Sequence, residues 1–247
     1  MISAIRSEIR KILTLRSTYV ILGIGLLIVV LMNGWVNGYK HPGPINSNFL
    51  SGVITSTIEF TSFLLGIVVL LQVSHEYRYN TMYHTMTLAR RRRTILLAKA
   101  VVASLAMFAG AALFVVVGIA SGAVGVAASG DSMGAQSIAW SDMLTRGAVY
   151  VWGAGMYALI IAVLLRNQVG AIIVYLFGVD IAEQLLSLLL KSNAGYLPFR
   201  ALETTMMEMN NQVQGFFSPE KSMVIVLAWI VAAGAAAWLL FEHRDAN

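Results

Sequence analysis

The sequence predicts an all-α membrane protein with six transmembrane helices, and three observations carry that prediction. Of the 247 residues 58% are hydrophobic and only 12% are charged, with a mean hydropathy of +0.74. A soluble domain carries about 25% charged residues, so the deficit points to lipid as the main solvent. Six stretches approach the roughly 20 apolar residues that a helix needs to cross a bilayer, and none shows the polar alternation of a barrel wall.

Ahead of the first stretch, Ile2, Ile5, Ile9, Ile12 and Leu13 share one helical face, while Arg6, Glu8, Arg10 and Lys11 lie on the others. That pattern predicts an amphipathic surface helix within residues 1–17, leading into the first span. No A-x-A site closes a short apolar core here, so the segment is not expected to be a cleaved signal peptide. The spans are expected at Tyr19–Trp35, Leu50–Val73, Ile95–Ala120, Met143–Leu165, Val169–Leu190 and Met223–Phe241. Only Arg166, Asn167 and Gln168 separate the fourth from the fifth, which predicts a tight helical hairpin. The whole chain, residues 1–247, reads as a single transmembrane domain.

Orientation follows from the basic residues. With the N-terminus inside, Arg6, Arg10, Lys11, Arg16, Arg78, Arg90 to Arg93, Lys99, Arg166 and Arg244 are cytoplasmic, whereas Lys40, Arg146, Lys191, Arg200 and Lys221 are outside. The bias places both termini in the cytoplasm. The net charge of +5 is therefore explained by topology without invoking nucleic acid. The densest basic stretch, "SHEYRYNTMYHTMTLARRRRTILLAKA" from Ser74 to Ala100, falls on the inner side. It serves either as an orientation signal or as the place where the protein meets a partner.

Motifs for self-contained chemistry are missing. "HEYRY" begins like a zinc-protease helix, but Tyr79 stands where H-E-x-x-H needs its second histidine. Lys191 and Lys221 precede serines without the glycines of a P-loop, so the chain is not expected to cradle ATP phosphates itself. There is no cysteine, which excludes disulfides and thiolate metal sites. No catalytic, cofactor or metal residues are assigned, and the chain is not expected to be an enzyme on its own.

Three acids lie within spans: Glu59 in the second, Asp180 and Glu183 in the fifth. A carboxylate at bilayer depth costs about 2.5–3.5 kcal/mol on insertion scales, so it faces a partner, a cavity or water. Asp180 and Glu183, three apart, share a helix face. They are read either as a substrate or cation pathway or as packing contacts near the outer surface. Small-residue spacings at Gly34/Gly38, Gly118/Gly122 and around Gly234 permit close helix approach and are compatible with dimerisation.

The order of motifs along the chain resembles the permease subunits of type-2 ABC exporters. In that family an E-x-R-x-G-T segment, a short helix, an arginine cluster and a lysine follow the second span. Here the same order reads Glu76, Arg78 and Thr81, then Met82–Leu88, Arg90–Arg93, and Lys99 opening the third span. The N-terminal "SEIRKILTLRSTY" with Glu8, Lys11 and Arg16, the segment "YLPFRAL" with Pro198 and Phe199, and the closing "WLLFEHRDAN" are similar to that family as well. Two departures are Asn80 in place of the usual glycine and Ala89 where a proline often precedes the arginines.

The resemblance implies that residues 74–94 form a cytoplasmic coupling loop whose short helix seats in a groove of a separate ATPase. Its coupling residues would be Glu76, Tyr77, Arg78, Tyr79, Asn80, Thr81, Met82 and Tyr83. Independently, Tyr77, Tyr79, Met82, Tyr83 and Met86 supply aromatic and adaptable contact area. The resemblance further implies two ATPase subunits holding ATP and Mg, and a second permease subunit, identical or related. It also implies short re-entrant helices within the outer segment 191–222, for which a plain loop is the other reading. Expected placement is a prokaryotic cell membrane. The competing functional readings are an ion-coupled secondary transporter or channel using Glu59, Asp180 and Glu183, and an immunity or sensor protein without transport.

Overall fold

Each predicted span lies on a helix in the structure, a computed structural model that describes residues 2–41, 45–79, 92–207 and 217–243. Helix α1 is Ile2–Thr14; an extended Leu15 breaks it from α2, Arg16–Val29, which continues as a π-helical stretch Val30–Tyr39 to make the first span. The second, third and fourth spans are α3 (Phe49–Arg78), α4 (Arg92–Ala128) and α5 (Trp140–Leu165). The fifth is composite: α6 (Gln168–Ile173), a π-helical Val174–Gly178, α7 (Val179–Leu190) and a 3-10 stretch Lys191–Tyr196. A short α8 (Pro198–Met207) precedes the sixth span, α9 (Pro219–His243). Among the described residues, six helices are long and apolar enough to cross a membrane.

Burial sorts these helices. In the second span 67% of the most apolar window is buried and in the fourth 61%, against 17% in the first and 11% in the fifth. So α3 and α5 form the centre, and their apolar residues need protein rather than lipid around them. One core runs through the bundle, from Val29 in the first span through Val69, Phe114, Met156 and Tyr175 to Phe241 in the sixth.

Local chemistry explains the turns. Arg166 adopts a left-handed conformation (φ 51°) and Asn167 an extended one; the Asn167 side-chain carbonyl accepts from Gly170 N at 2.9 Å and caps α6. That gives the expected hairpin its sharp reversal. Leu197 is extended because it precedes Pro198, and Pro198 opens α8 where its missing N–H is not needed. A short helix within the outer segment 191–222 thus begins at the proline.

The small-residue spacings are used inside the chain. Gly34 and Gly38 of the first span face Ser121, Gly122 and Gly125 of α4. A methyl group on Gly125 would overlap the Gly34 carbonyl, and one on Gly38 would sit 2.8 Å from the Gly122 carbonyl oxygen. Close approach of two backbones within the chain accounts for these glycines. Asn33, buried beside them, donates to Thr57 Oγ1 at 2.9 Å and accepts from Asn37, tying the π-helical stretch to α3. Gly234, by contrast, has open space where a side chain would go.

Replacing Gly125 with alanine is expected to destabilise the protein by about 1–3 kcal/mol through overpacking. Gly23, which has nothing nearby, should accept alanine with unchanged or higher stability. Thermal unfolding of the two purified variants, followed by fluorescence-detected gel filtration, checks the contrast.

Candidate functional site

The amphipathic character of α1 divides between two surroundings. Ile5 and Ile12 pack against Val68 of α3 and Val102 of α4, while Ile2, Ile9 and Leu13 remain exposed. Docking by that apolar edge sets the polar face of α1 against the ends of two spans, and four charged side chains meet there.

Lys11 Nζ lies 2.6 Å from Glu8 Oε1 and 2.6 Å from Glu76 Oε1. Lys99 Nζ lies 2.7 Å from Glu76 Oε1 and 2.8 Å from Glu8 Oε2. Two ammonium groups and two carboxylates thus alternate around a closed, electrically neutral ring. Gln72 Nε2 adds a hydrogen bond to Glu8 Oε2 at 3.2 Å. Lys99 is fully buried, Glu8 is 2% and Glu76 5% exposed, so the ring is out of water on three of its four members.

Each of those charges would be costly alone. Desolvation of a buried ion amounts to several kcal/mol, and good geometry with a partner is what offsets it. Burial would raise the Glu8 pKa, but Lys99 and Lys11 outweigh it and hold the carboxyl below its ordinary 4.5. Burial would likewise lower Lys11, yet its bonds to Glu76 and Glu8 keep the ammonium above its ordinary 10.5. Glu76 Oε2 and Gln72 Oε1 are buried with no hydrogen-bond partner among the described residues.

The next residue along α3 faces a different neighbour. The Arg166 guanidinium, at the α5–α6 turn, sits 5.7 Å over the Tyr77 ring and donates to the Leu240 carbonyl of α9 at 3.4 Å. Glu76 therefore binds α3 to α1 and α4, and Tyr77 links it to the hairpin and the sixth span. Arg78 reaches Gln168 Oε1 at 3.3 Å and lies 5.5 Å from the Tyr79 ring, which also stacks on His75. Arg78 and Tyr79 are exposed, Tyr79 at 61%.

The sequence-predicted coupling residues therefore fall into two sets: Glu76 and Tyr77 face the bundle, and Arg78 and Tyr79 face out. Asn80, Thr81, Met82 and Tyr83 lie outside the described residues. Glu8, Lys11 and Lys99 stood out in the sequence only as separate motifs. Gln72 drew no attention there, although a glutamine in so apolar a span was a usable signal.

The intramembrane acids sit toward the other end. Both oxygens of Glu183 are taken by the first turn of α8: Oε1 accepts from Phe199 N at 3.0 Å and Oε2 from Arg200 N at 2.8 Å. These donors have no partner within the helix, and a carboxylate there also complements the helix dipole. Arg200 in turn approaches Asp180 at 3.7 Å and bonds Glu203 at 2.8 Å. Asp180 and Glu183 thus converge on the start of α8. Glu59, half-buried on α3, lies within electrostatic reach of Tyr150, as does Glu203. The roles of Arg200 and Glu203 were missed in the sequence, where only their i,i+3 spacing hinted at a pair.

The sequence profile of a family described as "Protein of unknown function (DUF2705)" matches residues 20–246. The match takes in Glu76 and Lys99 and begins after α1. No curated protein matches the chain.

Replacing Lys99 with methionine should destabilise the protein by about 3–5 kcal/mol, because two buried carboxylates each lose one of their two ammonium partners and the ring is left with a net negative charge. A Glu8→Gln change added to it should recover part of the loss, and a double-mutant cycle on thermal unfolding measures the coupling. The pH response has a definite sign. Glu8, depressed in the folded state, contributes above its unfolded value near 4.5 and loses that contribution as pH falls through the lower folded pKa. Lys11, raised in the folded state, contributes below 10.5 and loses it only above its higher folded pKa. The α1 helix should therefore stay docked from mildly acidic to mildly alkaline pH and release in strong acid. A fluorophore on Ser7→Cys, unique in a chain without cysteine, reports the release.

Proposed function

We propose that this chain, which belongs to the DUF2705 family, is the membrane subunit of an ATP-driven exporter. One observation carries the reading: the Glu8–Lys11–Glu76–Lys99 ring joins α1 to the two helix ends that bracket residues 80–91. A pull or push on that bracketed segment acts on three helices together. The resemblance of the same motifs to type-2 ABC permeases gives the segment its role as a coupling element for a separate ATPase.

On this reading the α1 end of the bundle is cytoplasmic, with both termini inside a prokaryotic cell membrane. The exposed Ile2, Ile9 and Leu13 then lie in the inner headgroup region while α1 rests parallel to the surface. Arg78 and Tyr79, exposed beyond the ring, form part of the docking surface for the ATPase. ATP and Mg reside on that partner, in two copies, beneath a pair of permease subunits. Closure of the ATPases moves the coupling segments, and the ring passes the displacement to the bundle. On the opposite face, α8 and its Glu183 cap form part of the outer segment over the pathway. The double use of Glu183 favours a positioning role over ion coupling.

Purifying the tagged chain from its native membrane is expected to bring down a Walker-motif ATPase. Transport in liposomes that follows an ion gradient and ignores ATP would instead support an ion-coupled transporter. Tyr79→Ala is expected to leave insertion and thermal stability unchanged while reducing the transport achieved per ATP. Glu76→Ala should first reduce stability, since it opens the ring. If Tyr79→Ala leaves coupling intact, the docking assignment fails.

A further inference from the structure

Along the first span and α4 runs an apolar groove of about 620 Å³, a volume in the range of ligand sites. Its floor is the close glycine contact, Gly34 against Ser121 and Gly125. One wall is built from large side chains, including Leu31, Trp35 and Tyr39; the other is low, with Ala120, Val124 and Ala128. The groove exists because the backbones touch at glycines while the side chains on either side diverge.

Its two ends differ in chemistry. Toward mid-span the lining is aliphatic, with Val30, Leu31 and Val117. At the end of the span, Trp35 and Tyr39 stack with centroids 4.9 Å apart, and Lys40 Nζ stands 5.2 Å over the Trp35 ring. Tryptophan and tyrosine concentrate at headgroup level in membranes. The nearby carboxylate of Asp131 is engaged by His41 at 2.8 Å, and Lys40 has no carboxylate partner among the described residues. A held ammonium at headgroup level above an apolar trough matches one kind of molecule: a lipid with an anionic phosphate head and a hydrocarbon tail.

We propose that this groove binds an anionic phospholipid, one acyl chain lying between the first span and α4 and the phosphate on Lys40. A protein helix would also fill the trough, but a second copy would have to bring a carboxylate to Lys40 and cover the Trp35–Tyr39 pair at once. Charge and the polarity gradient favour the lipid. The site depends on neither an ATPase nor transport.

The test uses the full chain in phosphatidylcholine vesicles carrying either dibrominated phosphatidylglycerol or dibrominated phosphatidylcholine, with tryptophan quenching as the readout. The Trp35 component is obtained by subtracting the signal of a Trp35→Phe variant. Phosphatidylglycerol is expected to compete for the site on the order of fivefold better, the preference one lysine near a headgroup supplies. Lys40→Gln should abolish the preference while the gel-filtration profile stays unchanged. Ala120→Leu, which fills the low wall, should reduce Trp35 quenching by both lipids. Equal quenching by the two lipids, or a preference that survives Lys40→Gln, overturns the proposal. So does efficient disulfide crosslinking of Val124→Cys between two copies in native membranes, which would make the groove a subunit interface.

Discussion

An ammonium group with no access to water, at the start of a membrane-spanning helix, is the constraint around which one end of this protein is organised. Lys99 is completely buried. Alone at that depth it would be costly to keep charged, and the neighbouring carboxylates make it tolerable. Glu76 comes from α3, two turns of chain and an intervening segment away; Glu8 comes from a helix outside the spans altogether. Because one cation needs both, α1 cannot leave the bundle without exposing charges to an apolar surface. An amphipathic helix that would otherwise only rest on a membrane becomes part of the fold.

The ring is neutral, and that governs how it responds. Hydrophobic packing of Ile5 and Ile12 against Val68 and Val102 brings α1 close, but such contacts tolerate sliding. Bonds of 2.6–2.8 Å between four charges do not. Directional ionic contacts fix the register of α1 against α3 and α4, while the apolar contacts supply most of the attraction. Under the exporter reading, this combination is what a mechanical linkage requires: stiffness where displacement enters, and slippery apolar faces where the helices move past lipid.

The six spans were legible because each is a long run of apolar residues, and the hairpin because only Arg166, Asn167 and Gln168 interrupt two of them. Their ends were less so. Helix α3 continues beyond Val73 to Arg78, since Glu76 and Tyr77 find partners inside the bundle and make a polar turn of helix affordable. The π-helical stretches at Val30–Tyr39 and Val174–Gly178 have no sequence signature; within the first, Asn33 bonds to Thr57 of α3. Glycine spacing announced close approach but named no partner, which the structure supplies: Gly34 and Gly38 meet α4 of the same chain. The ring itself was visible only as parts. Glu8, Lys11, Glu76 and Lys99 are unremarkable one at a time, and nothing in local sequence says that positions up to 91 residues apart share one oxygen's width of space.

The two ends of the bundle solve the same problem differently. At the far end, Glu183 is satisfied by the backbone N–H groups of Phe199 and Arg200, a cap that stabilises one short helix against the fifth span. Those donors exist only while α8 is folded, so the acid and the helix stand or fall together. At the α1 end the acids are satisfied by side chains from three separate helices, so no single helix holds the ring. Glu76 Oε2 still faces no donor among the described residues. A buried carboxylate oxygen left in that state favours any arrangement that brings it a donor. Under the exporter reading, this gives the α1 end an energetic reason to respond to a docked ATPase, while the far end is held by a cap on a single short helix.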